Sequence, residues 1–518
     1  MRIAAIDMGS NSFHLLVVEA HPDGSFDTLL REKEMLRLGE LVARHGTIPE
    51  PDVERILDTL GRFASMATSI GATEIVACAT SAMREADNSS AIVDLIREET
   101  GIDVEVISGR REAQLIFAAI RGSLALEPGP AVCFDLGGGS LEVMVGDNGG
   151  LLWSTSLHLG AARLATQFLE SDPPSSAEMK LLKERLVEAL EPVAAEVASF
   201  EPQLMVGTSG TFLDLAKMAA AARTGAVPQA MNQLVVRRED LDKVHERLLS
   251  VPAAARSKIA GLDARRADQV PAGSQLLLTA MKLFGFDELM VGEWALREGV
   301  VLDAIRKHEV AEWTNDAEAI RRSSVLGLAR RCNWEEGHAT QVAGLAVSLF
   351  DQTLPLHHLA GANRELLEYA AMLHDIGEHV AIEAHHKHTA YLIEHGKLRG
   401  FSPDDIAILA TLGRYHRRND PKASYEPFGR LPTERRTEAL QLLSLLRLAD
   451  GLDRGHGATV DGVDVEITRT RVRLMVTSRG DMDLELWGLR RKRELFERLF
   501  ERRLEVVAAD HPSLAAQP

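Results

Sequence analysis

Hydrophobic positions alternate between strand-like and helix-like spacing through the first 125 residues. Strand-like runs are RIAAID, FHLLVVEA, EIVACAT and VEVIS, and helical spacing occurs near 51–70, near 90–100 and in EAQLIFAAI. After ALEPGP at 125–130, a second block contains AVCFDLG, LEVMVG, LLWSTSLHLG, a long amphipathic helix near 176–199 and QLMVGTSGT, and it closes near Asp303. The pattern predicts two consecutive α/β domains, 1–125 and 126–305.

The spacing of apolar residues becomes helical after about residue 315. It recurs in 338–350, 365–374, 386–395, 403–416 and 436–449, which predicts an all-α domain over 315–455. DVEITRTRVRLMVTS then alternates as in a hairpin, and RRKRELFERLFERR is typical of a charged helix. We expect a small α+β segment over 456–510 and a frayed tail. The predicted fold class is α/β followed by all-α.

One stretch of the first block recurs in the second. Residues 3–18 align with residues 131–146 at a constant offset of 128, so that Asp7, Gly9 and Ser12 correspond to Asp135, Gly137 and Ser140. Each copy predicts a hairpin with a turn of small residues. Two such hairpins, one opening each α/β block, predict a duplicated fold with a cleft between its halves.

Composition narrows the class of protein. A chain of 518 residues with 45% hydrophobic and 26% charged residues is typical of a globular enzyme with several domains. Its net charge of −18 argues against nonspecific nucleic-acid binding, which needs a basic surface. The three cysteines are widely spaced, and we find neither a secretion signal nor an apolar run of about 18 residues. These features predict a cytoplasmic protein with free thiols and no membrane contact.

The two turns are candidate phosphate sites. Turns of Gly and Ser leave successive backbone N–H groups uncovered, and such groups bind phosphate oxygens. The candidates are Ser10, Asn11 and Ser12 in the first copy and Gly137, Gly138, Gly139 and Ser140 in the second. Asp7 and Asp135, at the strand ends, are placed to hold a divalent ion against the same phosphates. The alternative is a plain β-turn in each copy.

Six motifs occur in order, namely IDMGSNSFHL, ATSAMREA, VISGRREAQLIF, FDLGGGSLE, VGTSGT and WALREGV. Over residues 1–305 the chain thereby resembles the exopolyphosphatase / guanosine pentaphosphate phosphohydrolase family of the actin-like ATPase superfold. The resemblance implies two actin-like (ribonuclease H-like) lobes around a phosphoanhydride chain. It also implies Mg²⁺ or Mn²⁺ in the cleft and a homodimer.

The same resemblance assigns roles to single residues. Glu112 matches the base that deprotonates the attacking water, although Arg111 and Gln114 replace the usual neighbouring acid and cation. Glu142 matches a second carboxylate, and Arg84 matches a cation near the phosphates. The third small-residue turn near the cleft comprises Gly207, Ser209 and Gly210. The alternatives are a helix-start carboxylate for Glu112 and a surface ion pair for Arg84.

The helical region contains a second constellation. Its members are His338, His374, Asp375 and Asp450. A divalent transition metal would satisfy all four, and the H…HD…D order resembles the HD phosphohydrolase superfamily. Buried, hydrogen-bonded histidines are the alternative. His386 and His416 are candidates for a second metal, or could line a basic channel with nearby arginines.

These observations predict an exopolyphosphatase that releases orthophosphate from the end of inorganic polyphosphate. One alternative is removal of the 5′ γ-phosphate from guanosine pentaphosphate, which gives the tetraphosphate. Another is a metal-dependent nucleotide phosphohydrolase centred on the HD site, and a third is a protein that only senses nucleotides.

Overall fold

The computed structural model describes residues 1–21, 25–308 and 317–508. The chain divides into two compact units, Met1–Ile320 and Arg321–Pro518. The domain limits predicted at residues 315 and 510 and the predicted frayed tail lie outside the described residues. Among the described helices, none has the length and apolar character needed to cross a membrane.

The first unit contains eleven described strands and twelve described α-helices. The strands are β1 (Arg2–Met8), β2 (Ser12–Ala20), β3 (Phe26–Met35), β4 (Glu74–Ala79), β5 (Val104–Val106), β6 (Ala131–Leu136), β7 (Leu141–Asp147), β8 (Gly150–Leu157), β9 (Leu204–Thr208), β10 (Leu234–Arg237) and β11 (Glu288–Val291). The α-helices are α1 (Leu38–His45), α2 (Glu50–Ser69), α3 (Ser81–Glu85), α4 (Ser89–Thr100), α5 (Gly109–Arg121), α6 (Ala161–Phe168), α7 (Ser176–Val197), α8 (Ser209–Thr224), α9 (Arg238–Leu249), α10 (Ala253–Arg256), α11 (Val270–Phe284) and α12 (Leu296–Lys307). Short 3₁₀ turns span Ala198–Phe200 and Ala264–Arg266.

The strands form two sheets with the same underlying order. The first sheet has the order β3-β2-β1-β4-β5, and the second has β8-β7-β6-β9-β11 with β10 added antiparallel at the edge. In each sheet an antiparallel hairpin is followed by parallel strands. The two α/β lobes predicted from the sequence are confirmed.

The internal repeat extends to details of the backbone. In the first hairpin the Gly9 N–H donates to the Ser12 carbonyl at 3.2 Å, and in the second the Gly137 N–H donates to the Ser140 carbonyl at 3.0 Å. The strand register also shifts at equivalent places, between residues 17 and 18 and between residues 145 and 146. A β-bulge is a specific feature rather than a chance defect. The equivalent register shifts therefore indicate that the two hairpins are duplicates of one structure.

Two helices share one hydrophobic core with both sheets. Ile116 of α5 and Val300 of α12 are buried in the cluster that also contains Ile3 of β1 and Cys133 of β6. The approach of the two helices is close, because a Cβ at Gly299 would lie 2.0 Å from a carbonyl oxygen of α5. The last helix of the second predicted block therefore returns to the first sheet, where it also contacts β1 and β2.

The second unit is helical, with a small sheet. Its helices are α13 (Ala317–Arg331), α14 (Glu336–His357), α15 (Gly361–Leu373), α16 (His385–His395), α17 (Pro403–Tyr415), α18 (Glu426–Arg430), α19 (Thr433–Leu452), α20 (Asp483–Lys492) and α21 (Glu494–Phe500), with a 3₁₀ turn at Ile376–His379. Its strands are β12 (Val460–Ile467), β13 (Arg471–Ser478) and β14 (Arg503–Ala508), in the order β12-β13-β14.

The charged helix predicted for RRKRELFERLFERR is wrong as a single element. The stretch contains the end of α20 and the whole of α21, which stops at Glu501, a residue in the left-handed region with φ of 50°. The chain then extends into β14, which pairs in parallel with β13. Pairing with β13 favours an extended conformation that the charged sequence does not signal.

Candidate active site and candidate metal centre

The second turn is held from behind by the start of α6. The carbonyl oxygens of residues 137–139 accept hydrogen bonds from N–H groups of residues 160–162, at N–O distances of 2.9 to 3.2 Å. In a planar trans peptide the carbonyl and the next N–H point in opposite directions. The N–H groups of residues 138–140 therefore point away from α6, as a phosphate-binding turn requires.

The first turn is held in the same way by the residues that lead into α1. The Ser10 carbonyl accepts from the Gly39 N–H at 2.8 Å, and the Asn11 carbonyl accepts from the Arg37 N–H at 2.9 Å. By the same peptide geometry, the N–H groups of Asn11 and Ser12 point away from α1.

The two turns lie against each other. A Cβ built on Gly138 would lie 2.9 Å from the Asn11 Cβ, and one built on Gly139 would lie 2.7 Å from the Ser10 Oγ and 2.6 Å from the Ser81 Oγ. Glycine is therefore required at both positions by the approach of the opposite lobe. This is a reason for the glycines that the sequence did not reveal.

Four carboxylates lie close to these turns, three of them buried and Asp7 partly buried with a buried Oδ1. Asp7 is the last residue but one of β1, and Asp135 is the last but one of β6. Glu142 faces Asp135 across the β6–β7 pair, and Glu112 lies in the first turn of α5. Burial and the neighbouring Glu112 charge raise the pKa of Asp7 to about 7. Burial also raises the pKa of Glu112 to about 7 and that of Asp135 to about 6, and it raises the pKa of Glu142.

This carboxylate cluster fits a divalent cation. The Asp7 Oδ1 is buried and accepts no hydrogen bond from any described group. Carboxylate oxygens are the ligands that Mg²⁺ and Mn²⁺ prefer. Among the described residues, groups of three or more ligand atoms within 4.8 Å of one another all lie in the second unit. The carboxylates of the first unit would therefore supply only part of the ligands of a cation.

Arg84 and Glu112 form an ion pair at the cleft. The Arg84 Nη1 lies 2.9 Å from the Glu112 Oε2 and also donates to the Ile107 carbonyl at 2.7 Å. Arg111, the unusual neighbour of Glu112, is instead paired with Asp303 of α12. The basic substitution beside the candidate base is therefore directed toward α12.

The residues of the third turn differ in what they contribute to the site. The Thr208 Oγ1 donates to the Asp135 Oδ2 at 2.6 Å, and the Ser209 Oγ donates to a β6 carbonyl at 2.8 Å. Ser209 is left-handed, with φ of 79°. Gly207 is packed in the core, where a Cβ would meet a phenyl ring at 2.9 Å, and Gly210 lies beneath a guanidinium group. The turn thus supports Asp135.

A group of cations lies beside the first turn, and the sequence analysis did not single it out. Burial and the charges of Arg297, Lys33, Arg266 and Arg265 together hold the pKa of His14 well below its usual range. Burial and the nearby arginines also lower the pKa of Lys33 to about 8. The signal for Arg297 was present, because it lies in the WALREGV motif, whereas the other three lie outside every motif.

His14 connects this cationic group to the first turn. Its Nε2 lies 2.9 Å from the Ser12 Oγ and its Nδ1 lies 3.0 Å from the Arg297 Nη1. In the strand register His14 faces Asp7 as Glu142 faces Asp135, at the same offset of 128. One copy of the hairpin thus places an imidazole where the other places a carboxylate.

The second unit gathers histidine and aspartate side chains into overlapping groups with ligand atoms within 4.8 Å of one another. These groups are His338, His374 and Asp450; His338, Asp375 and His456; and Asp375, His385 and His416. The four residues predicted from the H…HD…D pattern are therefore brought together. His385 belongs to these groups and His386 does not, because α16 begins at His385 and that ring lies 3.1 Å from Asp375. A second metal at His386 and His416 stays a prediction.

Further side chains support this cluster. Asp453 accepts from the His338 Nδ1 at 2.8 Å, and the Lys492 ammonium contacts the Asp450 carboxylate. Burial opposes ionisation of Asp450, but the charge of Lys492 holds its pKa at about 2. Thr389 ties the turn that carries His374 to α16 through its hydroxyl group. Sequence reasoning missed Asp453 and Lys492, which lie outside the H…HD…D pattern.

The paired α/β lobes, the facing turns and the buried carboxylates define the class of protein as a phosphohydrolase with two duplicated lobes. The chain belongs to the Ppx/GppA phosphatase family, whose description matches residues 17–308. Residues 320–490 match the description "Ppx/GppA phosphatase, domain III". The family resemblance predicted from the six motifs is confirmed, whereas the assignment of the helical unit to the HD type stays a prediction.

Named relatives agree with this placement. The chain is 35% identical over 303 residues to "Exopolyphosphatase 1" of Mycobacterium tuberculosis (strain ATCC 25618 / H37Rv), which covers 58% of this chain and 88% of that protein. The solved structure of an exopolyphosphatase from Cytophaga hutchinsonii is 31% identical with a TM-score of 0.56, and covers 60% of this chain and 100% of its own. The Aquifex aeolicus family member is 29% identical with a TM-score of 0.53, and covers 60% and 99%. The chain is therefore a phosphoanhydride hydrolase of a family of metal-dependent phosphatases.

Proposed function

We propose that this protein is an exopolyphosphatase that hydrolyses the terminal phosphoanhydride bond of inorganic polyphosphate. The observation that carries the proposal is the contact between two equivalent turns, with Glu112 buried near Asp7 and Asp135 of the strands that lead into them. The names of the relatives from Mycobacterium tuberculosis and Cytophaga hutchinsonii support polyphosphate as the substrate.

Backbone N–H groups and basic side chains bind the polyphosphate. The N–H groups of residues 11–12 and 138–140 donate to phosphate oxygens. Lys33, Arg266 and Arg297 supply positive charge beside the first turn, where a protein of net charge −18 needs local cations to hold a polyanion. Fixed donors of this kind bind a linear oxyanion without reading any base.

Glu112 acts on the water. Its carboxylate orients a water molecule toward the terminal phosphorus and accepts a proton from it, while Arg84 fixes the orientation of that carboxylate. The water oxygen bonds to the terminal phosphorus, and the bond from that phosphorus to the bridging oxygen breaks. The bridging oxygen keeps the electron pair and becomes the new end of the shortened polyphosphate, while the attacked phosphoryl group is released as orthophosphate and the proton on Glu112 passes to solvent. Asp7 and Asp135 would hold Mg²⁺ or Mn²⁺, which supplies neutralisation of the phosphate charge when bound.

The decisive experiment measures orthophosphate release from long-chain polyphosphate by the full chain. Glu112→Gln should lower kcat by about 10²–10⁴-fold, the range for loss of a general base. Glu98→Gln, an exposed change on α4, is the matched control and should leave the rate unchanged. A Glu112→Gln protein with the wild-type rate would overturn the proposal.

The same assay separates the alternatives. Guanosine pentaphosphate as substrate should give a lower kcat/KM than polyphosphate, because the groups described here recognise phosphates only. The reverse order would make the pentaphosphate the substrate. The homodimer implied by the resemblance stays a prediction, which sedimentation of the purified chain checks.

A further inference from the structure

His14 lies in a chain of hydrogen bonds that runs from α12 to the first turn. The Glu298 Oε1 accepts from the Arg297 Nε at 2.9 Å, and the Arg297 Nη1 lies 3.0 Å from the His14 Nδ1. The His14 Nε2 lies 2.9 Å from the Ser12 Oγ. Glu298 is fully buried, and its other carboxylate oxygen accepts from the Ala295 N–H at 3.1 Å, which fixes this end of the chain of hydrogen bonds.

The arginine determines the direction of the hydrogen bonds on both sides of the imidazole ring. A guanidinium group has only donors, so the His14 Nδ1 must accept from Arg297. Because a hydrogen on Nδ1 would place two N–H groups against each other, the ring is neutral and its hydrogen lies on Nε2. That N–H donates to the Ser12 Oγ. The Ser12 hydroxyl therefore keeps its own hydrogen, and among the described residues no group accepts it.

The equivalent serine of the second hairpin has the opposite arrangement. Burial raises the pKa of Glu142, whereas a hydrogen bond from the Ser140 hydroxyl lowers it. The hydrogen of the Ser140 hydroxyl is thus directed to the carboxylate that corresponds to His14 in the repeat. The two copies therefore differ in the direction of one hydrogen bond, which leaves a hydroxyl hydrogen available only at Ser12.

We propose that His14 is a positioning residue that directs the hydrogen of the Ser12 hydroxyl to an oxygen of the bound polyphosphate. The inference rests on the proposed function, because it names a further donor at the same substrate site. A phosphate oxygen is a charged acceptor, so a fixed O–H donor forms a strong hydrogen bond with it. Ser12 thereby adds a side-chain donor to the N–H groups of Asn11 and Ser12. Since His14 acts through Ser12, the loss of either side chain removes the same contact.

Steady-state kinetics on long-chain polyphosphate test this role with the full chain. Ser12→Ala should raise KM by about 10-fold with little change in kcat, as expected for loss of one hydrogen bond to a charged group. His14→Asn should have the same effect, because the asparagine oxygen replaces Nδ1 toward Arg297 but the side chain is too short to reach Ser12. The amide nitrogen in His14→Gln reaches as far as Nε2, so this variant should restore KM close to the wild-type value.

The double variant separates one shared contact from two independent ones. Ser12→Ala combined with His14→Asn should raise KM no further than Ser12→Ala alone. Effects that multiply, or a His14→Asn protein with the wild-type KM, would overturn the proposal. His245→Gln is the matched control, because it disrupts a histidine–serine contact of 2.8 Å with Ser274, outside both turns, and it should keep the wild-type KM.

Binding of inorganic tripolyphosphate distinguishes this inference from the proposed function. In titration calorimetry with the Glu112→Gln protein, adding His14→Asn should weaken binding by about 10-fold. This measurement needs no hydrolysis, whereas the proposed function depends on the rate that Glu112→Gln should lose. Equal affinities with and without His14→Asn would contradict the positioning role of His14 and leave the hydrolase assignment unaffected.

Discussion

The Asp7 carboxyl links the stability of the protein to pH. Its carboxyl is buried beside Glu112 and Asp135, and its Oδ1 has no hydrogen-bond partner among the described groups. The folded pKa of Asp7 is about 7, against an ordinary value of 3.8. Between these values the folded protein keeps a proton that the unfolded chain releases, so stability falls as the pH rises through this window.

The stability of the protein in a chelator should therefore decrease between about pH 4 and about pH 7. Asp7→Asn removes the ionisation and should raise the free energy of unfolding at pH 8 by about 1–3 kcal/mol, since each unit of pKa shift corresponds to about 1.4 kcal/mol. Urea unfolding at pH 5 and pH 8 measures the difference. Asp58→Asn, an exposed change on α2, should have little effect at either pH.

Divalent cations should act in the opposite direction. Because they favour the ionised carboxylates, Mg²⁺ or Mn²⁺ should stabilise wild type more at pH 8 than at pH 5. The thermal shift with each ion at the two pH values measures this, and the gain should diminish in Asp7→Asn. An equal shift at both pH values would show that the cluster binds no cation.

At the scale of elements, α6 acts as the support of the glycine turn. Gly160 immediately precedes the helix, and a Cβ there would lie 2.3 Å from backbone atoms of Gly138 and Gly139. Backbone atoms cannot rotate away as a side chain can. A methyl group at Gly160 must therefore displace either the turn or the helix.

Gly160→Ala should lower the free energy of unfolding by about 1–3 kcal/mol through overpacking, and should raise KM for polyphosphate. Gly61→Ala is the matched control, because Gly61 lies inside α2 with open space around it. That change should stabilise the protein by about 0.5–1 kcal/mol through helix propensity. Urea denaturation and orthophosphate release provide the two measurements, and equal effects of the two changes would refute this role of α6.

The sequence predicted most helices and strands because each depends on the spacing of apolar residues along a short stretch of chain. The apolar stretches 338–350 and 403–416 lie almost entirely in α14 and α17. Periodicity cannot show contacts between distant segments, so β14, which depends on β13, was missed. Motif position similarly selected Glu112 and Asp7 as candidates. The choice between His385 and His386 depends on where α16 begins, and the role of Lys492 depends on a helix 42 residues from Asp450 along the chain.

At the scale of the whole molecule, the chain consists of two compact units with separate candidate centres. The change of hydrophobic periodicity predicts a helical domain from residue 315, and that limit stays a prediction because it lies outside the described residues. The two units should unfold in distinguishable steps, as multidomain proteins do.

Scanning calorimetry should show two transitions. Gly160→Ala should lower the temperature of one and leave the other in place, and Asp375→Asn should do the reverse in the metal-loaded protein. A single transition shifted by both changes would show that the units unfold together.

His14 and Glu142 occupy corresponding positions of the two hairpins, and this difference bears on the direction of movement along the substrate. A linear polyphosphate reads the same from either end, so the polymer itself cannot tell an enzyme which way to travel. In the proposed enzyme the two hairpins bind it with matching turns, whereas one hairpin presents an imidazole and the other a carboxylate. The direction in which the proposed enzyme moves along a substrate with two identical ends would therefore originate in one position of the repeat, which is His14 in the first hairpin and Glu142 in the second.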